Sequence, residues 1–230
     1  MIKTFKVLSA LLSYPTAELQ TAAPELTTAL DREALLPTAI RRQLDSLLNE
    51  IASGDLYDLQ ERYVLLFDRT RSLSLHLLEH VHGESRDRGQ AMIDLKNLYV
   101  NGGLELFAAE LPDFVPLYLE FLSTRPRAEA YDLLAQPGHI FSALAERLRK
   151  RHSAYEAAFR ALVALTANKP KIDEITALLK QPDPDATDLA ALDAAWEDEP
   201  VSFGPAATSC KDELIAKIRA GRRPAPGGQH

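Results

Sequence analysis

Ile40-Arg41-Arg42-Gln43-Leu44-Asp45-Ser46-Leu47-Leu48-Asn49-Glu50-Ile51-Ala52-Ser53-Gly54 is the stretch that decides the fold. Its apolar residues Ile40, Leu44, Leu47, Leu48 and Ile51 follow one another at offsets of 4, 3, 1 and 3. That spacing lays them on one stripe of an α-helix, and Gly54 closes it. The same grammar recurs on both sides. Upstream, Phe5, Leu8, Leu11 and Leu12 share a face of a helix over about 4–13 that Pro15 stops, and Thr16 caps a second helix running up to Pro24. Downstream, Asp55 caps a helix carrying Leu59, Tyr63, Leu66 and Phe67. Residues 73–82 are apolar on most sides and read as a buried helix ended by Gly83, and Ser85 caps a long helix to Asn101. Segments 113–123, 126–134, 138–152, 153–168 and 171–180 complete the series, with Ser153 and Glu156 at capping-box spacing. No run alternates apolar and polar residues as a strand does, and no Asn-Gly or Asp-Gly pair joins two such runs. The sequence predicts an all-α, single-domain helical bundle.

Composition agrees and excludes several classes. Of 230 residues, 46% are hydrophobic, 26% charged and only 10 glycine, which favours helices. A formal net charge of -7 offers no general attraction to nucleic acid or anionic lipid, which need a basic face. Cys210 is the single cysteine, so no intrachain disulfide or multi-cysteine metal site can form, and it reads as a surface thiol. Lys3 and Lys6 before an apolar stretch imitate a signal peptide, but Ser9 and Ser13 interrupt it and Tyr14-Pro15 ends it. No stretch approaches the roughly 20 apolar residues of a membrane span. These features predict a cytoplasmic protein with no direct membrane insertion. Residues 181–200 carry seven acidic side chains and no basic ones, broken by Pro182, Pro184 and Pro200. The chain therefore reads as a helical domain over 1–180 and an acidic, largely flexible tail over 181–230, where 211–220 offers one short helix with Leu214, Ile215 and Ile218 on one side.

Three of six histidines fall in His76-Leu77-Leu78-Glu79-His80-Val81-His82. On one helical face His76, Glu79 and His80 would match H-x-x-E-H, in which two histidines hold zinc and the glutamate activates water. Such a site needs a third protein ligand, and nothing selects among Glu105, Glu110 and Glu120. A nucleotide-binding reading lacks a G-x-x-x-x-G-K loop, and the arginine-rich stretch 147–151 reads as a solvated face. The neighbours are more informative. Arg86, Asp87, Arg88 and Gly89 form a charged helix entrance that opens onto a seam of Met92, Leu95 and Tyr99. Arg86 and Arg88 sit at the less favourable end of the helix dipole, which predicts carboxylates holding them.

The run His76, Glu79, His80, His82, Gly83, Ser85, Arg86, Arg88, Gly89 and Met92, followed by Tyr99, resembles the hallmark of the NarJ family, within the TorD-like chaperones of molybdoenzymes. Leu11-Leu12-Ser13-Tyr14-Pro15, 63–68, Glu110-Leu111-Pro112-Asp113, Leu119-Glu120-Phe121-Leu122 and Glu199-Pro200-Val201-Ser202-Phe203 extend the likeness over roughly 5–205. One departure is Phe114, where TorD-like chains often carry histidine. The resemblance implies an all-helical chaperone, not an enzyme, that binds the N-terminal leader-like segment of the catalytic subunit of respiratory nitrate reductase or of a related molybdoenzyme. It also implies help in inserting the bis-guanine-dinucleotide molybdenum cofactor and an iron–sulfur cluster before membrane anchoring, with no cofactor held stably by the chaperone itself.

A bundle groove suits such a client, because an amphipathic peptide helix can lay its apolar face in it while rim charges set its direction. The sequence places the groove between the 55–68 helix and the 73–99 pair. Tyr63, Phe67, Leu77 and Met92 are candidates for the floor, although plain core is the stronger reading of each. Glu79, His80, Asp87 and Asp113 are candidates for a rim facing peptide cations, and Arg86 and Arg88 either meet an acidic client surface or brace the motif.

Overall fold

The structure is a computed structural model that describes residues 1–82, 86–105, 110–166 and 170–183, with the backbone alone of His82 and Arg86. The chain divides into a unit of residues 1–188 and a second of 189–230. The expectations for Gly83, Ser85, Cys210, the 199–203 run and the 211–220 helix lie outside the described residues.

Eleven α-helices make up the described part of the first unit: α1 (Lys3–Leu11), α2 (Ala17–Glu33), α3 (Thr38–Ser53), α4 (Leu56–Tyr63), α5 (Leu77–His82), α6 (Arg86–Asn101), α7 (Val115–Thr124), α8 (Arg127–Ala135), α9 (Gly138–Lys150), α10 (Glu156–Leu165) and α11 (Ile172–Leu179). Among the described residues extended pairing is confined to one bridge, between His76 and Phe114. The stripe on α3 goes where its spacing sends it: Leu44, Leu47, Leu48 and Ile51 are buried, and Ile40 lies half-buried at the helix start. α1 packs on α7 and α2, while α9 packs on α10 and α11 and α3 joins α2 to α10. Phe5, Leu8 and Leu11 of α1, Leu119, Phe121 and Leu122 of α7, and Phe159 and Leu162 of α10 meet in this core. None of the described helices is long and apolar enough to cross a membrane.

Three local expectations are corrected. α2 does not stop at Pro24 but runs through it to Glu33, where Ala34 takes a left-handed conformation. Proline removes one helical N–H, and Ala23 and Leu30, buried on either side, keep the helix on the core. Residues 73–82 are not one helix. A 3-10 turn (Arg71–Leu73) leads into an extended stretch, and α5 begins only at Leu77. Ser153 forms no capping box, because its hydroxyl accepts from Tyr155 N–H at 3.4 Å while its carbonyl accepts from Glu156 N–H.

Candidate functional site

Between α4 and α5 the chain abandons regular geometry. α4 widens into a π-helical turn (Val64–Asp68) that swings Phe67 inward, 5.0 Å from Tyr63 and 5.1 Å from Tyr155 between ring centres. The Tyr63 hydroxyl donates to the Leu12 carbonyl at 2.9 Å, and Thr70 donates to the Leu65 carbonyl at 2.8 Å. These bonds satisfy polar groups that burial would otherwise penalise. The chain then crosses the 111–115 segment. Val115 N–H donates to the Leu75 carbonyl at 2.9 Å, and Leu77 N–H to the Asp113 carbonyl at 3.0 Å.

Asp113 is the keystone of this crossing. It is fully buried, with one carboxylate oxygen 3.1 Å from His76 Nδ1 and the other accepting from Leu78 N–H at 3.2 Å. One side chain thus fixes an imidazole and the first turn of α5. Its hydrogen bond to His76 raises that histidine's pKa above the ordinary value, against opposition from burial. His80 behaves in the opposite way: burial lowers its pKa, and its Nε2 donates to the Ser74 carbonyl at 2.8 Å. Behind the crossing, Arg147 of α9 donates to the carbonyls of Ser72 at 2.6 Å and Leu178 at 2.7 Å. Asp183 accepts from the Ser72 hydroxyl and pairs with Arg151 at 2.8 Å.

An open cleft of about 450 Å³ lies in front of the crossing, walled by Phe67, Asp68, Arg69 and Arg71 on one side and by Ser74, His76, Glu79 and Arg88 on the other. It sits between the elements expected to flank a groove, but its character differs. Tyr63, Phe67 and Leu77 are buried core residues rather than an open floor, and Met92 is half-buried. Asp113 and His80 are interior braces, not rim groups, because both are buried and hydrogen-bonded to the crossing. Glu79 holds Arg88 at 3.2 Å, so that arginine has the carboxylate its helix position called for, while Asp87 is exposed. Arginines were not expected to dominate here, yet Arg69, Arg71 and Arg88 face the cleft.

The zinc-helix geometry is not formed. His76 precedes α5 in the extended stretch, so it and His80 are not successive turns of one helix, and the ring nitrogens named above face Asp113 and Ser74. Among the described residues no group of three or more histidine, cysteine or acidic side chains is placed to hold a metal. Arg147, read from the sequence as part of a solvated face, is 1% exposed. Tyr99 is buried, with its hydroxyl 2.6 Å from the Pro112 carbonyl, and Gly89 has open space about its Cα. Around the site, Val81, Ile93, Val100 and Leu111 are large apolar residues about half exposed to solvent. Ile93 and Val100 share a face of α6, being seven residues apart.

The all-helical bundle has the fold of a solved protein of the redox enzyme maturation class. A crystal structure of an Archaeoglobus fulgidus chain named for redox enzyme maturation aligns with a TM-score of 0.52 over 71% of this chain and 91% of its own, at 23% identity. Residues 16–161 match the nitrate reductase delta subunit family, and the chain belongs to that family, the NarJ-type molybdenum cofactor assembly chaperones. It is 41% identical over 209 residues to the nitrate reductase molybdenum cofactor assembly chaperone NarJ of Escherichia coli K12, covering 91% of this chain and 88% of NarJ. It is 37% identical over 202 residues to NarW of the same strain, named a probable chaperone of the same kind, covering 88% and 84%. The family is one of assembly proteins and not of enzymes.

Proposed function

We infer that this protein is a dedicated chaperone for nitrate reductase assembly, acting in the cytoplasm on the catalytic, molybdenum-bearing subunit. The observation that carries this reading is the 41% identity to NarJ across 91% of the chain. The chaperone binds the client's N-terminal, leader-like segment and holds the subunit receptive while the molybdenum cofactor and an iron–sulfur cluster enter, before the complex meets its membrane anchor. The cofactor is cargo for the client and is not retained here.

The surface that suits this work is α5–α6. Solvent-exposed Ile93 and Val100, two turns apart on α6 with Lys96 and Asn97 between them, offer two apolar anchor points beside half-buried Met92 for an amphipathic client helix, and exposed Asp87 at the head of α6 can take a client cation. Calorimetric titration of the full chain with a peptide copying the client's N-terminus tests this. Binding should show a negative heat-capacity change from apolar burial and should weaken as salt screens the charges. Ile93→Asp with Val100→Asp should abolish it, and Asp87→Asn should weaken it without altering the melting temperature. Failure of the folded wild-type chain to bind any such peptide overturns the assignment.

A further inference from the structure

The last described helix, α11, is held to the bundle by one buried residue and by polar bonds that converge on Arg147. Among the residues of α11 only Leu178 is buried, and Ile172 at its start is 77% exposed. A helix that hides so little apolar area gains little from the core it rests on. Arg147 of α9 supplies a different hold. Its guanidinium donates to the Leu178 carbonyl in the last turn of α11 at 2.7 Å and to the Ser72 carbonyl in the 3-10 turn at 2.6 Å. Beyond α11, Asp183 accepts from the hydroxyl of the same Ser72 and pairs with Arg151. The end of α11 and the start of the crossing are thus pinned to each other through one guanidinium and one carboxylate.

This attachment carries its own opposition. Arg147 keeps its charge away from water, and its Nε has no hydrogen-bond partner among the described residues. Both are costs of the seated arrangement, and Asp183 offsets only the first. Lifting α11 returns the guanidinium to water and removes both costs, in exchange for the burial of Leu178 and the bonds to Leu178 and Asp183. Seated and lifted forms therefore differ by less than the stability of the whole bundle, which is the condition for a local opening. We propose that α11 with the residues up to Asp183 is a strap that locks the crossing. Seated, it fixes Arg147 and Ser72 and with them the 3-10 turn from which the crossing starts. Lifted, it lets that turn and the His76 segment loosen while α1, α7 and α10 stay folded. The device works on the chain alone, whichever client is bound.

Amide hydrogen exchange of the full chain, resolved to single residues, tests the lock. In the wild type the amides of Ile175 and Lys180, bonded within α11, should exchange about tenfold or more faster than those of α10. The decisive readout is the crossing, where the amides of Leu73, Ser74 and Leu77 donate to the carbonyls of Thr70, Arg71 and Asp113. Leu178→Ala loosens the strap and leaves every residue of the crossing as it is, yet it should speed exchange of those three amides about tenfold, with α1 and α10 unchanged. Asp183→Asn should act in the same direction. In an Arg147→Lys background, where one ammonium cannot bridge both carbonyls, Leu178→Ala should still speed α11 but add nothing at Leu73. Should Arg147→Lys not fold, the other two variants decide the question. Faster exchange confined to α11 in Leu178→Ala overturns the lock, because a helix that is only loosely attached would show the same. Wild-type α11 amides as protected as those of α10 overturn it too, as does a rise spread evenly over α1 and α10, which reports global destabilisation.

Discussion

The packed helices α1, α7, α9 and α10 and the 64–82 crossing differ in how much polar structure they bury. In the helices the interior is Phe5, Leu8, Leu119, Phe121, Leu144, Phe159 and Leu162, all at or near zero exposure. In the crossing Phe67, Leu73, Leu75 and Leu77 are buried as well, but Thr70, Ser72, Ser74, His80 and Asp113 are buried among them, with Arg147 reaching across from α9. Of the described buried polar residues only Thr4 and Ser123 lie elsewhere. Apolar burial is non-directional, so it stabilises a bundle while tolerating small shifts. A hydrogen-bonded interior is directional and holds one geometry. The family motif is therefore placed by polar bonds on a scaffold stabilised by apolar ones.

The contrast breaks if both regions respond alike to truncation. Phe121 is fully buried, 4.9 Å from Tyr99 and 4.8 Å under the Arg125 guanidinium. Phe121→Ala should cost about 3–5 kcal/mol, lowering the melting temperature and raising amide exchange throughout the bundle. Asp113→Ala should cost less, about 2 kcal/mol, because it strands His76 and Leu78 N–H without opening a large cavity. Its signature should be local: faster exchange over 74–80 with α1 and α10 still protected. Uniform loss of protection in Asp113→Ala, or none at all over 74–80, contradicts the division drawn here.

The same contrast explains what the sequence made legible. The α3 stripe, the Thr16 and Asp55 caps and the helix boundaries near Gly54 and Pro126 follow from periodicity and capping chemistry, which are local. The crossing is not local. Leu73, Leu75 and Leu77 read as a buried helix because burial in a helix and burial in an extended stretch leave the same apolar signature, and the deciding partner, Asp113, is far along the chain. Asp113 reads as a groove-rim charge for the same reason. The hallmark from His76 to Met92 was visible as a pattern, but the arginines facing it were not. Arg69 follows the π turn and Arg71 opens the 3-10 turn, and the sequence carries no recognised signal for either.

A smaller effect concerns where the first unit ends. Sequence composition placed the boundary at residue 180, yet Asp183 pairs with Arg151 and accepts from Ser72, beside the carbonyls that hold Arg147. We place the functional end of the domain at or beyond Asp183. A chain ending at Lys180 should lose about 1 kcal/mol relative to one ending at Asp183, a value discounted because the pair is partly exposed. Equal melting temperatures for the two truncations return the boundary to 180.

The finest test compares two histidines four residues apart. Asp113 raises the pKa of His76, with further support from Glu79 and opposition from burial and Arg88. The folded chain therefore binds that proton more tightly than the unfolded chain, whose histidines titrate near about 6.5. The resulting stability is fully present below that pH and is lost as pH rises through the raised folded value. Burial lowers the pKa of His80, with Arg147 acting in the same direction and the Ser74 carbonyl, Glu79 and Asp113 opposing. Its stability is fully present above about 6.5 and is lost as pH falls through the lowered folded value. Melting temperatures followed from pH 5 to 8 should show opposite trends, so that the gap between wild type and His76→Gln narrows toward alkaline pH while the gap to His80→Gln narrows toward acid. Parallel curves for the two variants would mean that neither histidine is held by the partner assigned to it, and that the crossing is kept in place by its backbone bonds to Leu75 and Asp113 alone.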